Sequence, residues 1–395
     1  MIFFSCGFQT GGIASDQADI KKQILKLVDV GAVMMNNEKS QPVFAHQIKV
    51  LLVPASIIKI LTSLVAIELL GKEFRFTTEF YVDQHNNLLI RGLGDPFLVS
   101  EEISDIAKSL KELGLRRINR LILDHSAFAP NIEIPGTSGT LKPYDALNGA
   151  LVVNFNTLNL GRDRSGVVFS AETETPLTPL AMRKGEMMPR GKTERINLSD
   201  KPRESSRYVG ELFQRFFADQ QIFLVNKEFG VGTLSSSWTL FYTHQNSKPL
   251  ELMLSGLLKY SSNFIANQIF LTIGAREYGY PAELRHARSV FRKAIERQFR
   301  PLEQELFFDE ASGLSRANMI TAKMMMKVLE VFRPYSHLLP EQKGVLVKSG
   351  TLTGIYNYAG YIQTDKGLRP FVIMLNQTAN YRDKILNLLL DSSDQ

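Results

Sequence analysis

From Pro54 to Gly71 the chain reads Pro-Ala-Ser-Ile-Ile-Lys-Ile-Leu-Thr-Ser-Leu-Val-Ala-Ile-Glu-Leu-Leu-Gly, an apolar helix with proline at its entry and glycine at its exit. Ser56 falls in the first turn and Lys59 follows three residues later. Residues three apart on a helix share a face, so the Lys59 amine can reach the Ser56 hydroxyl, the contact that a nucleophile and its base need. An ordinary lysine titrates near about 10.4 and is protonated at neutral pH, so it must be desolvated or stand beside a second cation before it acts as a base. The first-turn position also aims backbone N–H groups and the helix dipole at negative charge developing on a bound molecule. The bland alternative is a helix cap followed by a solvated lysine, and this segment alone does not exclude it.

Around this helix the apolar spacing alternates between the two regular periods. Gln17 to Val28, Ile106 to Leu113, Tyr208 to Ala218, Leu250 to Leu271, Ala282 to Phe299, Ala322 to Phe332 and Tyr381 to Leu390 read as helices. Gly31 to Met35, Val43 to Val53, Phe76 to Val82, Asn87 to Arg91, Ile118 to Leu123, Gly344 to Lys348, Tyr358 to Thr364 and Arg369 to Asn376 read as strands. Ala171 to Arg207 is rich in Thr, Pro, Lys, Arg and Glu and poor in periodic apolar residues, which predicts an exposed loop or irregular lobe.

Composition removes several functions. Cys6 is the single cysteine, so neither a disulfide framework nor a cysteine zinc site can be built from one chain. The histidines, His46, His85, His125, His244, His286 and His337, lack the pair spacing by which a helix presents two metal ligands, so no metal is expected. No apolar run reaches the roughly 20 residues that span a bilayer, which leaves peripheral attachment to an envelope as the membrane option. The formal charge of +6 suits an acidic partner without selecting one. The basic residues Arg285, Arg288, Arg292, Lys293, Arg297 and Arg300 read first as a solvated helix face. The start lacks a full secretory signal, although a small residue before Cys6 resembles a lipoprotein processing site.

Two further motifs follow Ser56-x-x-Lys59 in order: Ser261-Ser262-Asn263 in a helical region, and Lys348-Ser349-Gly350-Thr351 at the end of a strand. Each is weak alone, and their value lies in order and context. With Pro54-Ala-Ser56, Gly92-Leu-Gly94-Asp95-Pro96, Asp124-His-Ser126-Ala-Phe128, Ser247-Lys-Pro249-Leu250, Asp309-Glu-Ala-Ser312-Gly313-Leu314-Ser315 and Gly350-Thr-Leu-Thr-Gly354, they resemble the class C low-molecular-mass penicillin-binding proteins over nearly the whole chain. This is the D-alanyl-D-alanine carboxypeptidase/endopeptidase family. Ser262 stands where many relatives carry aspartate, and Ser349 where threonine is more frequent.

The resemblance implies an α/β (α+β) fold, with a β-lactamase/transpeptidase-like catalytic domain of antiparallel sheet flanked by helices. That domain is expected from residues 1–72 and 240–395, with a strand-rich accessory domain inserted over 73–239. It implies that Ser56 attacks the penultimate D-alanine carbonyl of a peptidoglycan stem peptide while Lys59 takes its proton. Ser261 and Lys348 would return a proton to the leaving amine, and Lys348 would supply the second positive charge near Lys59. Asn263 would hold the substrate amide, Ser349 and Thr351 the terminal carboxylate, and the backbone N–H groups of Ser56 and Thr351 the oxyanion. The family implies β-lactams as inhibitors, no cofactor, no nucleic-acid partner, and work in the cell envelope, periplasmic or otherwise extracytoplasmic.

Two rivals stand beside it. A β-lactamase-like hydrolase needs a deacylating glutamate, for which Glu172 and Glu174 lie in the polar stretch without the usual flanking pattern. A non-catalytic penicillin- or glycan-binding scaffold would be expected to have lost a motif residue, and none is lost.

Overall fold

The computed structural model describes residues 19–391 except 200 and 302–303, and Cys6 lies outside them. The chain divides into two compact units, one of Met1–Leu61, Phe299–Phe308 and Arg316–Gln395 and one of Thr62–Gln298 and Asp309–Ser315. Among the described residues, no helix is long and apolar enough to cross a membrane.

The first unit is built on a six-stranded antiparallel sheet. Its order runs Glu341–Gln342, Val345–Leu352, Ile355–Thr364, Gly367–Leu375, Gly31–Asn36 and Pro42–His46. The middle strands are apolar because helices cover them. Val33, Met35, Val347, Ile362, Phe371 and Ile373 form one core with Ile24 of the N-terminal helical stretch, Val28 just beyond it, and Ile385 and Leu389 from the helix Arg382–Asp391. The expected strand from Val43 to Val53 is two strands, Pro42–His46 and Leu51–Leu52. Gln47 at φ 49° turns the chain between them, and Val50 N–H closes that turn on Gln47 O at 3.1 Å.

The second unit carries a five-stranded mixed sheet, in which Leu121–Asp124 runs parallel to Leu88–Gly92 while Thr77–Val82 pairs antiparallel with both Leu88–Gly92 and Thr239–Gln245. The helices Ser100–Glu112 and Pro202–Asp219 bury Ile103, Ile106, Leu110, Leu212, Phe213 and Phe217 in the same core as sheet residues Phe80, Ile90 and Leu123. The stretch expected as an exposed loop or irregular lobe contains regular elements. It holds the helix Pro179–Glu186, the strand Lys192–Asn197 and the start of the next helix at Pro202. The strand Lys-Thr-Glu-Arg-Ile-Asn gives no apolar alternation because its first three residues are exposed, and pairing with Thr157–Arg162 rather than burial defines it.

Two of the short family segments meet in this unit. Asp95 accepts from Phe97 N–H at 2.8 Å and from Asn246 Nδ2 at 2.9 Å, which ties the Gly92–Pro96 turn to the residues leading into the helix Leu250–Tyr260. Burial holds the Asp95 carboxyl up at about 6. For Glu102, burial is outweighed by hydrogen bonds from His244 and Ser247, which hold its carboxyl down at about 2. Asp124 accepts from the Ser126 and Leu234 N–H groups, a structural role.

Candidate active site

Ser56 lies in a 3₁₀ turn, Ala55–Ile58, that precedes the α-helix Lys59–Leu70, rather than in the first turn of one continuous α-helix. The tighter winding eclipses residues three apart, which sharpens the pairing expected from spacing. Lys59 Nζ donates to Ser56 Oγ at 2.9 Å. Lys59 is fully buried, while Ser56 keeps partial exposure, so the hydroxyl remains reachable. Ala55 adopts φ 47°, a left-handed conformation that an alanine holds only where its surroundings enforce it. Those surroundings are visible in two asparagines. Asn357 Nδ2 donates to Val53 O at 2.9 Å and Pro54 O at 2.8 Å, and Asn376 Oδ1 accepts from Val53 N–H at 2.8 Å.

The third motif lies within the strand Val345–Leu352, not at its end as expected. The strand outruns its apolar stretch because Lys348 to Leu352 are paired to Ala359 through Ile355. Gly350 fits against the Ser56 turn: a Cβ there would stand 2.7 Å from Pro54 O and 3.1 Å from Ser56 N. Glycine thus permits the approach of strand to turn. Val347 N–H leaves the strand edge toward Pro340 O at 2.9 Å, and the two-residue period sends the N–H groups of Ser349 and Thr351 off the same edge. Thr351 is exposed, and its Oγ1 accepts from Arg382 at 2.7 Å.

Lys348 is buried, and its Nζ donates to Ser349 O at 2.8 Å. Burial, and then repulsion from Arg382, lowers its pKa from 10.5 to about 8. Between about 8 and 10.5 the unfolded chain therefore holds a proton that the folded chain has released, so this group makes stability rise with pH across that window. Thermal melts of wild type and Lys348→Met are expected to diverge there, with the wild type gaining relative to the variant. A difference that stays constant from pH 8 to 10.5 contradicts the assignment.

In the second unit the expected single helical region from Leu250 to Leu271 is two helices, Leu250–Tyr260 and Asn263–Tyr278. Ser261 breaks them with a left-handed backbone, φ 56° and ψ 36°. Ser262 caps the second helix by accepting from Ile265 N–H at 3.2 Å. Aspartate at this position would cap the helix as well as serine does. Asn263 Nδ2 donates to Tyr144 O at 3.2 Å.

Ser261 and Asn263 line a cavity of about 760 Å³ together with Tyr144, Phe155, Arg195 and Tyr260. Phe155 meets Phe97 edge-on at 5.2 Å between ring centroids, and Arg195 lies over its face at 6.0 Å. Sequence reading missed Phe155. Residues Asn154, Phe155 and Asn156 are all left-handed, at φ 49°, 60° and 54°. Buried asparagine contacts to Ser100, Tyr208 and Ser205 hold that turn. The Asn-Phe-Asn sequence was the available signal, since asparagine tolerates this region best among residues with a side chain. Glu172 pairs with Arg195, and Glu310 anchors the Asp309–Ser315 loop by accepting from Asn267 Nδ2 at 2.9 Å and Ser312 N–H at 2.7 Å.

The chain matches the D-Ala-D-Ala carboxypeptidase 3 (S13) family over residues 16–168 and 184–339, and it belongs to that family. It is 24% identical over 426 aligned positions to D-alanyl-D-alanine carboxypeptidase DacB of Haemophilus influenzae, covering 91% of this chain and 88% of the relative. The crystal structure of penicillin binding protein 4 from Haemophilus influenzae superposes with a TM-score of 0.71 at 20% identity, covering 92% of this chain and 94% of that one. The fold is therefore that of penicillin binding protein 4, a mixed α/β architecture of several sheets with an accessory β region. A predatory endopeptidase of Bdellovibrio bacteriovorus, crystallised with an immunity protein, is similar at a TM-score of 0.54 and 15% identity, over 93% of this chain and 92% of that one.

Proposed function

We propose that this protein is a serine-type D-alanyl-D-alanine carboxypeptidase/endopeptidase that cuts peptidoglycan stem peptides through an acyl-enzyme on Ser56. The observation that carries the reading is the 2.9 Å hydrogen bond from the fully buried Lys59 amine to the partly exposed Ser56 hydroxyl. Lys59 takes the hydroxyl proton as Ser56 attacks the penultimate D-alanine carbonyl. The N–H groups of Ser56 and Thr351 bind the oxyanion; one such donor is typically worth about 3 to 4 kcal/mol in the transition state. Ser261, assisted by Lys348, passes the proton to the departing amine, and Asn263 holds the substrate amide. Ser349 and Thr351 bind the terminal carboxylate.

Membership in the S13 family supports this, as does a second crystal structure of the Haemophilus influenzae protein, in complex with a β-lactam. A β-lactam offers a strained amide and a carboxylate to the same groups, so β-lactams are inhibitors here. The work is done in the cell envelope, outside the cytoplasm. Residues 73–239 act as an accessory domain that shapes the substrate groove without supplying catalytic groups, a reading supported by Tyr144, Phe155 and Arg195 in the wall of the Ser261 cavity.

Mass spectrometry of muropeptides after incubation with the purified protein tests the activity. Loss of a terminal D-alanine from pentapeptides, or scission of D-alanyl cross-links, is the expected result. Unchanged muropeptides under conditions where the protein is folded would contradict it.

A further inference from the structure

The helix Arg382–Asp391 delivers its first residue to the motif strand. Arg382 donates from Nη1 to Thr351 Oγ1 at 2.7 Å, and its guanidinium lies 4.5 Å from the centroid of the Tyr358 ring. Tyr358 is the partner of Ser349 on the neighbouring strand, so the arginine covers the stretch from Ser349 to Thr351. Helix propensity does not explain the residue, because a cation in the first turn sits at the positive end of the helix dipole. Charge pairing does not explain it either. Among the described residues no carboxylate forms an ion pair with Arg382, and the adjacent Asp383 instead accepts from the Tyr358 hydroxyl at 2.8 Å. The Arg382 Nε–H is buried without a hydrogen-bond partner. A guanidinium with no ion-pair partner among the described residues, an exposed threonine hydroxyl, and the buried Lys348 amine that feels the arginine's charge form a group of donors whose natural complement is a carboxylate, which arginine's planar fork can grip at both oxygens.

We propose that Arg382 is a specificity-determining residue that reads the free carboxylate of the leaving D-amino acid, acting with the Thr351 and Ser349 hydroxyls. This rests on the activity proposed above. Arg382 stands 31 residues beyond Thr351 in the sequence and in a different element, which is why no motif reveals it.

The test compares kcat/KM for an N-acylated L-lysyl-D-alanyl-D-alanine peptide with that for its C-terminal carboxamide, in wild type, Arg382→Gln and Arg382→Lys. The wild type is expected to prefer the acid. Arg382→Gln is expected to lose about 10- to 100-fold on the acid and little on the amide, the size of one charged hydrogen bond. Arg382→Lys should recover part of the preference. Equal losses on both peptides would assign Arg382 a structural role and overturn the inference, as would an acid-to-amide ratio left unchanged. If Arg382→Gln does not fold, the ratio in Arg382→Lys decides, and a wild-type ratio there overturns the proposal. A wild type that cleaves neither peptide overturns the activity reading and this inference with it.

Discussion

Lys59→Met is expected to slow acylation of Ser56 by about 10²- to 10⁴-fold, the usual cost of removing a general base. Methionine keeps much of the length of lysine and fills the same buried space, so the change removes the amine without opening a cavity. The Ser56 hydroxyl it leaves keeps partial exposure to water, so that group is not stranded unsatisfied. The variant should therefore still unfold in one cooperative transition while acylation collapses, a pairing that separates lost chemistry from lost fold. The rate of labelling by a fluorescent penicillin, followed beside a thermal melt, reads both. Acylation near the wild-type rate would return Lys59 to the role of a buried structural lysine.

The strands and helices that sequence conveyed best are those buried on a regular period. Ala322 to Phe332 matches the observed helix residue for residue because Thr321 caps it and one face carries the Met-rich core. The strands around Ile362 and Phe371 were legible because they lie in the middle of the sheet and are apolar on both faces. Lys192–Asn197 was not legible, since its ladder partners rather than its side chains make it a strand. Backbone reversals by residues that do not favour positive φ were invisible too. Gln47, Ala55 and Ser261 all take positive φ, and each divides or reshapes an element that apolar spacing had drawn as continuous.

The same contrast holds at the site. Ser56 and Lys59 sit three apart, so local geometry alone predicts their contact, and the hydrogen bond is present. Gly350 shows why the third motif contains glycine, but only the fold reveals Pro54 O and Ser56 N in the space a side chain would occupy. Asn357, Asn376 and Arg382 reach the motifs from distant strands and a helix, and nothing in their own surroundings in the sequence points there. The expected division into 1–72 with 240–395 and an inserted 73–239 came from the family resemblance, not from apolar spacing. By compactness, Thr62 to Leu70 and the helices between Leu250 and Gln298 group with the middle of the chain.

The central claim is that Ser56 is the nucleophile, and its largest consequence is complete loss of covalent labelling in Ser56→Ala. The deleted hydroxyl is the only atom the acyl group would join, so no residual rate through that residue remains. Intact-protein mass spectrometry after incubation with penicillin, followed by peptide mapping, measures this directly. The wild type is expected to gain the mass of one penicillin on the peptide containing Ser56, and Ser56→Ala, folded by circular dichroism, to gain none. An adduct on another residue, or equal labelling of the two proteins, would contradict the account.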